Sequence, residues 1–228
     1  MRHAAIITAA GSSSRFNSKS SLYEKKEFRK IDGHSVLWHA VKPFMETDGI
    51  AALVITYREG TLEDTIESLE DIALQTSLPI FYALGGRTRQ ESVLSALEKL
   101  DEECGSSIEM VSIHDGARPY VKKNTIEQCI RMASVYGAAA PAVPVKDSLV
   151  KVGADGFICA RKDRQDLYGI QTPQTFFFRD IYNAHLKAAG DGCFYTDDTG
   201  IYEKYAGRVY IVEGDAQNTK VTFAEDLA

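Results

Sequence analysis

The sequence predicts an α/β fold, a single domain whose mainly parallel sheet is flanked by helices. Three observations carry this. Short apolar runs alternate with stretches whose apolar residues recur at helical spacing over most of the chain. Clusters of glycine and small polar residues directly follow several of the apolar runs, as strand-to-helix turns do. The 228 residues are 44% hydrophobic and 25% charged, an ordinary globular composition with enough chain for one large core.

Taken in order, Ala4 to Ala10 is the first strand, and Leu37, Ala40, Val41 and Phe44 share one face of the helix after it. Ala51 to Tyr57 is a second strand, Thr61 to Gln75 a polar amphipathic helix, and Pro79 to Ala83 a third strand that ends at Gly85 and Gly86. Val93, Ala96, Leu97 and Leu100 mark the next helix and Met110 to His114 the next strand. Ile126, Cys129, Ile130 and Ala133 line one side of a further helix, and Ala138 to Val145 follows as a strand. Such alternation gives a Rossmann-like sheet covered on both faces. Val145 to Thr175 departs from it: Ser148 to Val152 and Phe157 to Arg161 read as two short strands joined by Gly153, Ala154, Asp155 and Gly156. A lone hairpin is marginally stable in water, so this protruding β-hairpin arm is expected to pack on the same arm of a second subunit, giving a homodimer.

Several function classes are excluded or disfavoured. A net charge of −6 argues against a general nucleic-acid binder, which needs excess Lys and Arg to displace counterions. No apolar stretch approaches the roughly 20 residues of a membrane span, and the start lacks a signal-peptide pattern, so a cytoplasmic protein is expected. Cys104, Cys129, Cys159 and Cys193 are scattered without a C-x-x-C pair and read as ordinary thiols.

The strongest chemical signal lies at the start. The first strand breaks at Gly11 into Ser12, Ser13, Ser14 and Arg15, with Lys25 and Lys26 close behind. Small residues in a tight loop let backbone N–H groups approach an anion, and the cations neutralise it. The loop is neither G-x-G-x-x-G nor G-x-x-x-x-G-K-[ST], so another phosphate geometry is implied. Ligands of open α/β sheets gather at the carboxyl ends of strands. Gly11 to Arg15, Gly85 to Ser92 and Asp115 to Arg118 each follow a strand and should therefore meet on one rim.

These segments belong to an ordered set that spans nearly the whole chain: Ala9-Ala10-Gly11, Arg15, Lys26, Gly85-Gly86, Arg89, Ser92, His114 to Pro119, Pro144 to Asp147, Asp163-Arg164, Gln171 to Gln174, Thr196 to Asp198 and Asn218 to Thr222. The set resembles the 2-C-methyl-D-erythritol 4-phosphate cytidylyltransferase family. Each motif is short, but their order and spacing together are specific. The resemblance implies transfer of CMP from CTP to methylerythritol phosphate with release of pyrophosphate, on the non-mevalonate route to isoprenoids. A ribitol 5-phosphate cytidylyltransferase shares most of these motifs and is the nearest alternative. A non-catalytic nucleotide-binding regulator is a second.

Carried over residue by residue, the resemblance assigns Arg15, Lys26 and Lys220 to the triphosphate and its α-phosphate as the catalytic cations. It assigns CTP binding to Ala9, Ala10, Gly11, Ser12, Gly85, Gly86, Ser92, Asp115 and Gly116. Asp115, Arg118, Ser148, Arg164 and Thr172 fall to the acceptor, partly from the opposite subunit. His114, Asp197 and Asp198 are read as structural. No residue is assigned to metal; Mg²⁺ is implied, held mainly by the nucleotide's own phosphates. This chain has Ser13 where the family usually has glycine, Lys25-Lys26-Glu27 in place of Pro-Lys-Gln, and Ser148 in place of Thr. Lys25 or Lys19 could stand in for Lys26. The expected organisation is one nucleotidyltransferase domain over 1–228, with 145–172 as an arm for dimerisation and substrate.

Overall fold

The computed structural model describes residues 1–13, 16 and 25–227. The chain runs β1 (His3–Thr8), a 3-10 turn (Lys26–Phe28), the short pair β2 (Lys30–Ile31) and β3 (His34–Ser35), α1 (Val36–Met45), β4 (Ile50–Tyr57), α2 (Leu62–Glu67), α3 (Glu70–Ala73), β5 (Ile80–Leu84), α4 (Arg89–Cys104) and β6 (Met110–Asp115). It continues through α5 (Lys123–Tyr136), β7 (Ala138–Pro144), β8 (Leu149–Val152), β9 (Ile158–Lys162), β10 (Tyr168–Ile170), β11 (Gln174–Phe177), α6 (Phe178–Gly190), α7 (Asp198–Tyr205) and β12 (Tyr210–Glu213).

Among the described residues eight strands form one sheet. β5, β4, β1 and β6 lie side by side and parallel. Beyond β6 the sheet is mixed. β11 runs antiparallel between β6 and β7, β10 pairs the far end of β7 antiparallel, and β12 returns parallel on the other edge of β7. Strand alternation then makes two cores. Ala4, Ile6 and Val54 face α4 and α6 through Val93, Leu97 and Ile181, while Ala5, Ile7, Leu53 and Ile55 face Leu37, Val41, Phe44 and Ile126. Each fully buried Val, Leu, Ile or Phe side chain contributes about 1.5–3 kcal/mol. Both faces being covered explains why β1, β4 and β6 read as continuous apolar runs.

Registry fixes the rim. Thr8 lies opposite both Thr56 and Asp115, and Tyr57 opposite Leu84, so β1, β4, β5 and β6 end at one level. The loops after β1, β5 and β6 therefore leave from the same edge, as the sequence expects.

Several element boundaries differ from the sequence expectation by a residue or more, three of them as follows. The single helix predicted over Thr61 to Gln75 is split into α2 and α3, with Leu69 at φ −120° and ψ 0° between them. The Thr65 and Ser68 hydroxyls donate back to the carbonyls of Thr61 and Thr65, at 2.6 and 2.8 Å, competing with the helix ladder. The first strand stops at Thr8 rather than Ala10, because the Ala9 N–H donates to the Thr56 hydroxyl at 3.0 Å. β8 and β9 form a separate antiparallel pair, each strand beginning one residue later than expected. The turn closes through Gly153 N–H to the Phe157 carbonyl at 2.9 Å, with Gly156 at φ +84°. Among the described residues no helix is long and apolar enough to cross a membrane.

Candidate active site

A cavity of about 540 Å³ opens at the carboxyl rim, lined by residues from all three rim loops and from the last segment of the chain. Its first wall is the loop after β1, which supplies Ala10, Gly11, Ser12 and Ser13. Lys25 braces that loop from behind: its ammonium donates to the Ala9 carbonyl at 2.7 Å. Burial pulls the Lys25 pKa below its ordinary value, against the opposing charge of Glu27. Lys26 points the other way, into the cavity, where its ammonium donates to the Val221 carbonyl at 2.8 Å. Lys25, at the N-cap of the 3-10 turn, and Lys26, its first residue, thus hold the loop and charge the cavity respectively.

The second wall is the turn from β5 into α4. A Cβ on Gly85 would come within 2.1 Å of Ala10 Cβ, so only glycine lets this turn press against the first loop. The Gly86 N–H donates to the Ser92 hydroxyl at 3.1 Å, and that hydroxyl donates to the Thr88 carbonyl at 2.8 Å. Thr88 caps α4 by accepting from Glu91 N–H at 3.1 Å. Ser92 therefore lines the cavity while its hydroxyl shapes the turn.

The floor is Asp115, the last residue of β6. Lys220 Nζ lies 2.9 Å from its Oδ2, Arg118 Nε 3.3 Å from Oδ2, and Arg89 Nε 3.1 Å from Oδ1. Burial alone would push this carboxyl up, but the three cations outweigh it and hold the pKa well below the usual carboxylate range. Arg89 in turn pairs with the fully buried Asp198 at 2.7 Å, and Asp198 Oδ1 meets His185 Nε2 at 3.1 Å. These carboxylates keep Arg89 protonated against the cost of its burial.

Hydrogen bonds behind the floor set its position. The Asp115 N–H donates to the Thr172 hydroxyl at 3.1 Å, and that hydroxyl meets His114 Nδ1 at 2.9 Å. Asn218 Nδ2 donates to the Thr172 carbonyl at 2.9 Å, Arg118 Nη1 to the Asn218 carbonyl at 2.7 Å, and Val221 N–H to the Ala117 carbonyl at 2.8 Å. The segment 218–221 is stitched to the loop after β6 by these bonds, which is how a lysine over one hundred residues away reaches Asp115.

Of the residues named from the sequence, Ala10, Gly11, Ser12, Lys26, Gly86, Ser92, Asp115 and Lys220 line this one cavity. Ala9, Gly85 and Gly116 each adjoin a lining residue. Thr172 is buried with its hydroxyl engaged at Asp115 and His114, so it positions the floor instead of facing the cavity. Ser148 and Arg164 lie outside the cavity, and Arg164 donates to the Lys146 carbonyl. Ser14, Arg15 and Lys19 fall outside the described residues. The structure adds Arg89, Arg58, Glu27 and Thr196 to the lining. Arg89 stands in the quoted motif set without a role there; its signal is the pair Asp197-Asp198, which reads as a helix start but also places a buried counter-charge.

For a divalent cation the donor set is telling. Asp115 already faces three cations, so its carboxylate suits a metal poorly, and the residues present fit Mg²⁺ carried on a nucleotide's own phosphate oxygens.

A Rossmann-like sheet whose rim gathers a small-residue loop, lysines and an orienting carboxylate defines an enzyme of the nucleotidyltransferase class. Residues 3–228 match the family described as 2-C-methyl-D-erythritol 4-phosphate cytidylyltransferase, and the chain belongs to that family. The enzyme of that description from Clostridium novyi (strain NT) is 37% identical over 227 residues, covering 99% of this chain and 94% of the relative. Among solved structures, 4-diphosphocytidyl-2C-methyl-D-erythritol synthase from Anaerococcus prevotii superposes with a TM-score of 0.81 at 27% identity, over 99% of this chain and 92% of that one. The 2-C-methyl-D-erythritol 4-phosphate cytidylyltransferase of Thermus thermophilus does so with 0.78 at 27% identity, over 100% and 96%.

Proposed function

We propose that this chain transfers CMP from CTP to 2-C-methyl-D-erythritol 4-phosphate, releasing pyrophosphate and forming 4-diphosphocytidyl-2-C-methyl-D-erythritol for isoprenoid biosynthesis. The observation that carries this reading is the meeting of Lys26 and Lys220 with the loop after β1 around one cavity floored by Asp115.

An acceptor phosphate oxygen attacks the α-phosphorus; a new P–O bond forms as the bond to the β-phosphate bridging oxygen breaks, and pyrophosphate leaves with the electron pair. The acceptor phosphate is largely ionised near neutral pH, so no base is required. Asp115 is unsuited to that task, because a carboxyl held well below its usual range takes up no proton at pH 7. Its work is to hold Lys220 and to receive ribose or acceptor hydroxyls. Gly11 and Ser12 offer backbone N–H groups to the triphosphate, with Arg15 and Lys26 as its cations. Lys220 offsets the charge that grows on the α-phosphoryl oxygens. Bound Mg²⁺ would supply further charge neutralisation on the phosphates. Gly85, Gly86 and Ser92 shape the seat for the cytosine base, and Arg118, held by Asp115 and the Asn218 carbonyl just outside the cavity lining, is the guanidinium this reading assigns to the acceptor.

We assign 1–228 to one nucleotidyltransferase domain with 145–172 as its arm, and read the arm as the contact of a homodimer. Support comes from Phe157, 74% exposed, and from Val152 and Ile158, both more than half exposed in a single chain. Ser148 and Arg164 then reach an acceptor across the dimer. The free cysteines suit the reducing cytoplasm, where we place the enzyme.

Pyrophosphate release measured with CTP, Mg²⁺ and each polyol phosphate tests the assignment. Turnover with methylerythritol phosphate and a much lower kcat/KM with ribitol 5-phosphate is expected. The reverse order would move the chain to the other acceptor, and CTP binding without turnover on either would leave a regulator.

A further inference from the structure

Ser13 is one of two non-glycine residues in the described chain with positive φ, at +50°. A left-handed backbone costs an ordinary residue roughly 1–2 kcal/mol, so something must hold it. Two bonds converge on its hydroxyl: Ser13 Oγ donates to Glu27 Oε2 at 3.2 Å, and Lys26 N–H donates to Oγ at 3.4 Å. Glu27 is 2% exposed. A buried carboxylate on the wall of a cavity meant for a triphosphate is electrostatically unfavourable for the ligand. Its presence there calls for a compensating role.

We propose that Glu27 is a positioning residue for nucleotide binding: it clamps Ser13 in the left-handed conformation and so aims the backbone N–H groups of Gly11 to Ser13 into the cavity. The inference rests on the reading of this loop as the phosphate cradle. The clamp needs an acceptor oxygen at position 27, not a charge, because the Ser13 hydroxyl is the donor. It also becomes unnecessary where residue 13 has no Cβ, since glycine enters the left-handed region freely.

These requirements separate the clamp from a metal-ligand or purely structural role. CTP affinity is measured by calorimetry, and KM and kcat by pyrophosphate release, for the full chain and for Glu27→Ala, Glu27→Gln and the double variant Ser13→Gly with Glu27→Ala. Glu27→Ala should weaken CTP about five- to tenfold with kcat changed less than threefold. Glu27→Gln should bind within about twofold of the parent, and the double variant should recover most of the lost affinity. Should Glu27→Ala fold poorly, Glu27→Gln still decides, because a fivefold or greater loss of CTP affinity in it would overturn the clamp. Failure of Ser13→Gly to rescue, or a Gln variant as weak as the Ala variant, would overturn the clamp. If the parent chain itself binds no CTP, the cradle reading falls and the clamp with it; if the parent binds and all variants bind equally, the clamp alone falls.

Discussion

At Asp115 one carboxylate meets Arg89, Arg118 and Lys220, and only Lys220 among them keeps about a third of its side chain exposed, at 35%. Arg89 and Arg118 are more enclosed, and each has a further partner in Asp198 and in the Asn218 carbonyl. The least enclosed cation of the set is therefore the one able to turn toward a phosphoryl group as charge develops there. Truncating it removes an interaction that strengthens in the transition state, and such losses appear in kcat more than in ground-state affinity. Lys220→Ala is expected to lower kcat about 10²–10³-fold, by analogy with loss of one oxyanion donor, while CTP affinity changes far less. Steady-state kinetics beside calorimetry measures both, and an unchanged kcat would remove Lys220 from the chemistry. At this scale the sequence reveals residue types but not their loyalties. Lys26 and Lys220 are legible as cations near loops. That the Thr172 hydroxyl is consumed by Asp115 and His114 is invisible, because it depends on a pairing across 57 residues.

The elements that alternate regularly are legible because a buried parallel strand and a one-faced helix each leave a clear apolar period. β1, β4, α4, β6 and α5 all lie within a few residues of where that period places them. β10 and β11 are not legible: Gln174 to Phe177 passes straight into the helix Phe178–Gly190, and an apolar run crossing a strand–helix junction has no period of its own. The antiparallel insertion between β6 and β7 follows from that same stretch. β8 and β9 announce themselves through Gly153 to Gly156, yet Val152, Phe157 and Ile158 stay more than half exposed in the single chain. Cover from a second copy would bring Arg164 to a neighbouring acceptor site. The purified chain is accordingly expected to sediment as a dimer at micromolar concentration, and Arg164→Ala to raise the acceptor's KM about tenfold or more, the scale of one lost charge-assisted hydrogen bond, with CTP's KM little changed. A monomer, or an effect on CTP alone, would detach the arm from the acceptor.

For the whole molecule, pH acts through two histidines buried on the strands at the centre of the sheet. Burial, helped by the N-terminal charge, lowers the His3 pKa to about 3, and burial lowers that of His114 to about 4 despite the neighbouring Asp115, against an ordinary 6.5. Both accept or donate internally in the neutral form: His3 Nε2 meets Ser112 Oγ at 3.0 Å and His114 Nε2 the Arg118 carbonyl at 3.2 Å. Well above pH 6.5 folded and unfolded chains carry both rings neutral and the pair has no pH effect. Below it the unfolded chain takes up protons that the folded chain refuses until about pH 4, so stability falls as pH falls. With about 1.36 kcal/mol per proton per pH unit, the slope near pH 5 should approach roughly 2–3 kcal/mol per unit, on the order of a quarter of a typical domain's stability. Asp115 and Asp198, whose pKa values lie below the usual carboxylate range, continue the loss in the same direction at still lower pH. Urea unfolding at pH 7, 6 and 5 measures the slope, and His3→Gln, which retains a partner for Ser112, should cut it by about half. A flat profile from pH 7 to 5 would mean that the rings are protonated in the folded chain, and that the sheet tolerates charge where its registry now leaves room only for neutral imidazole.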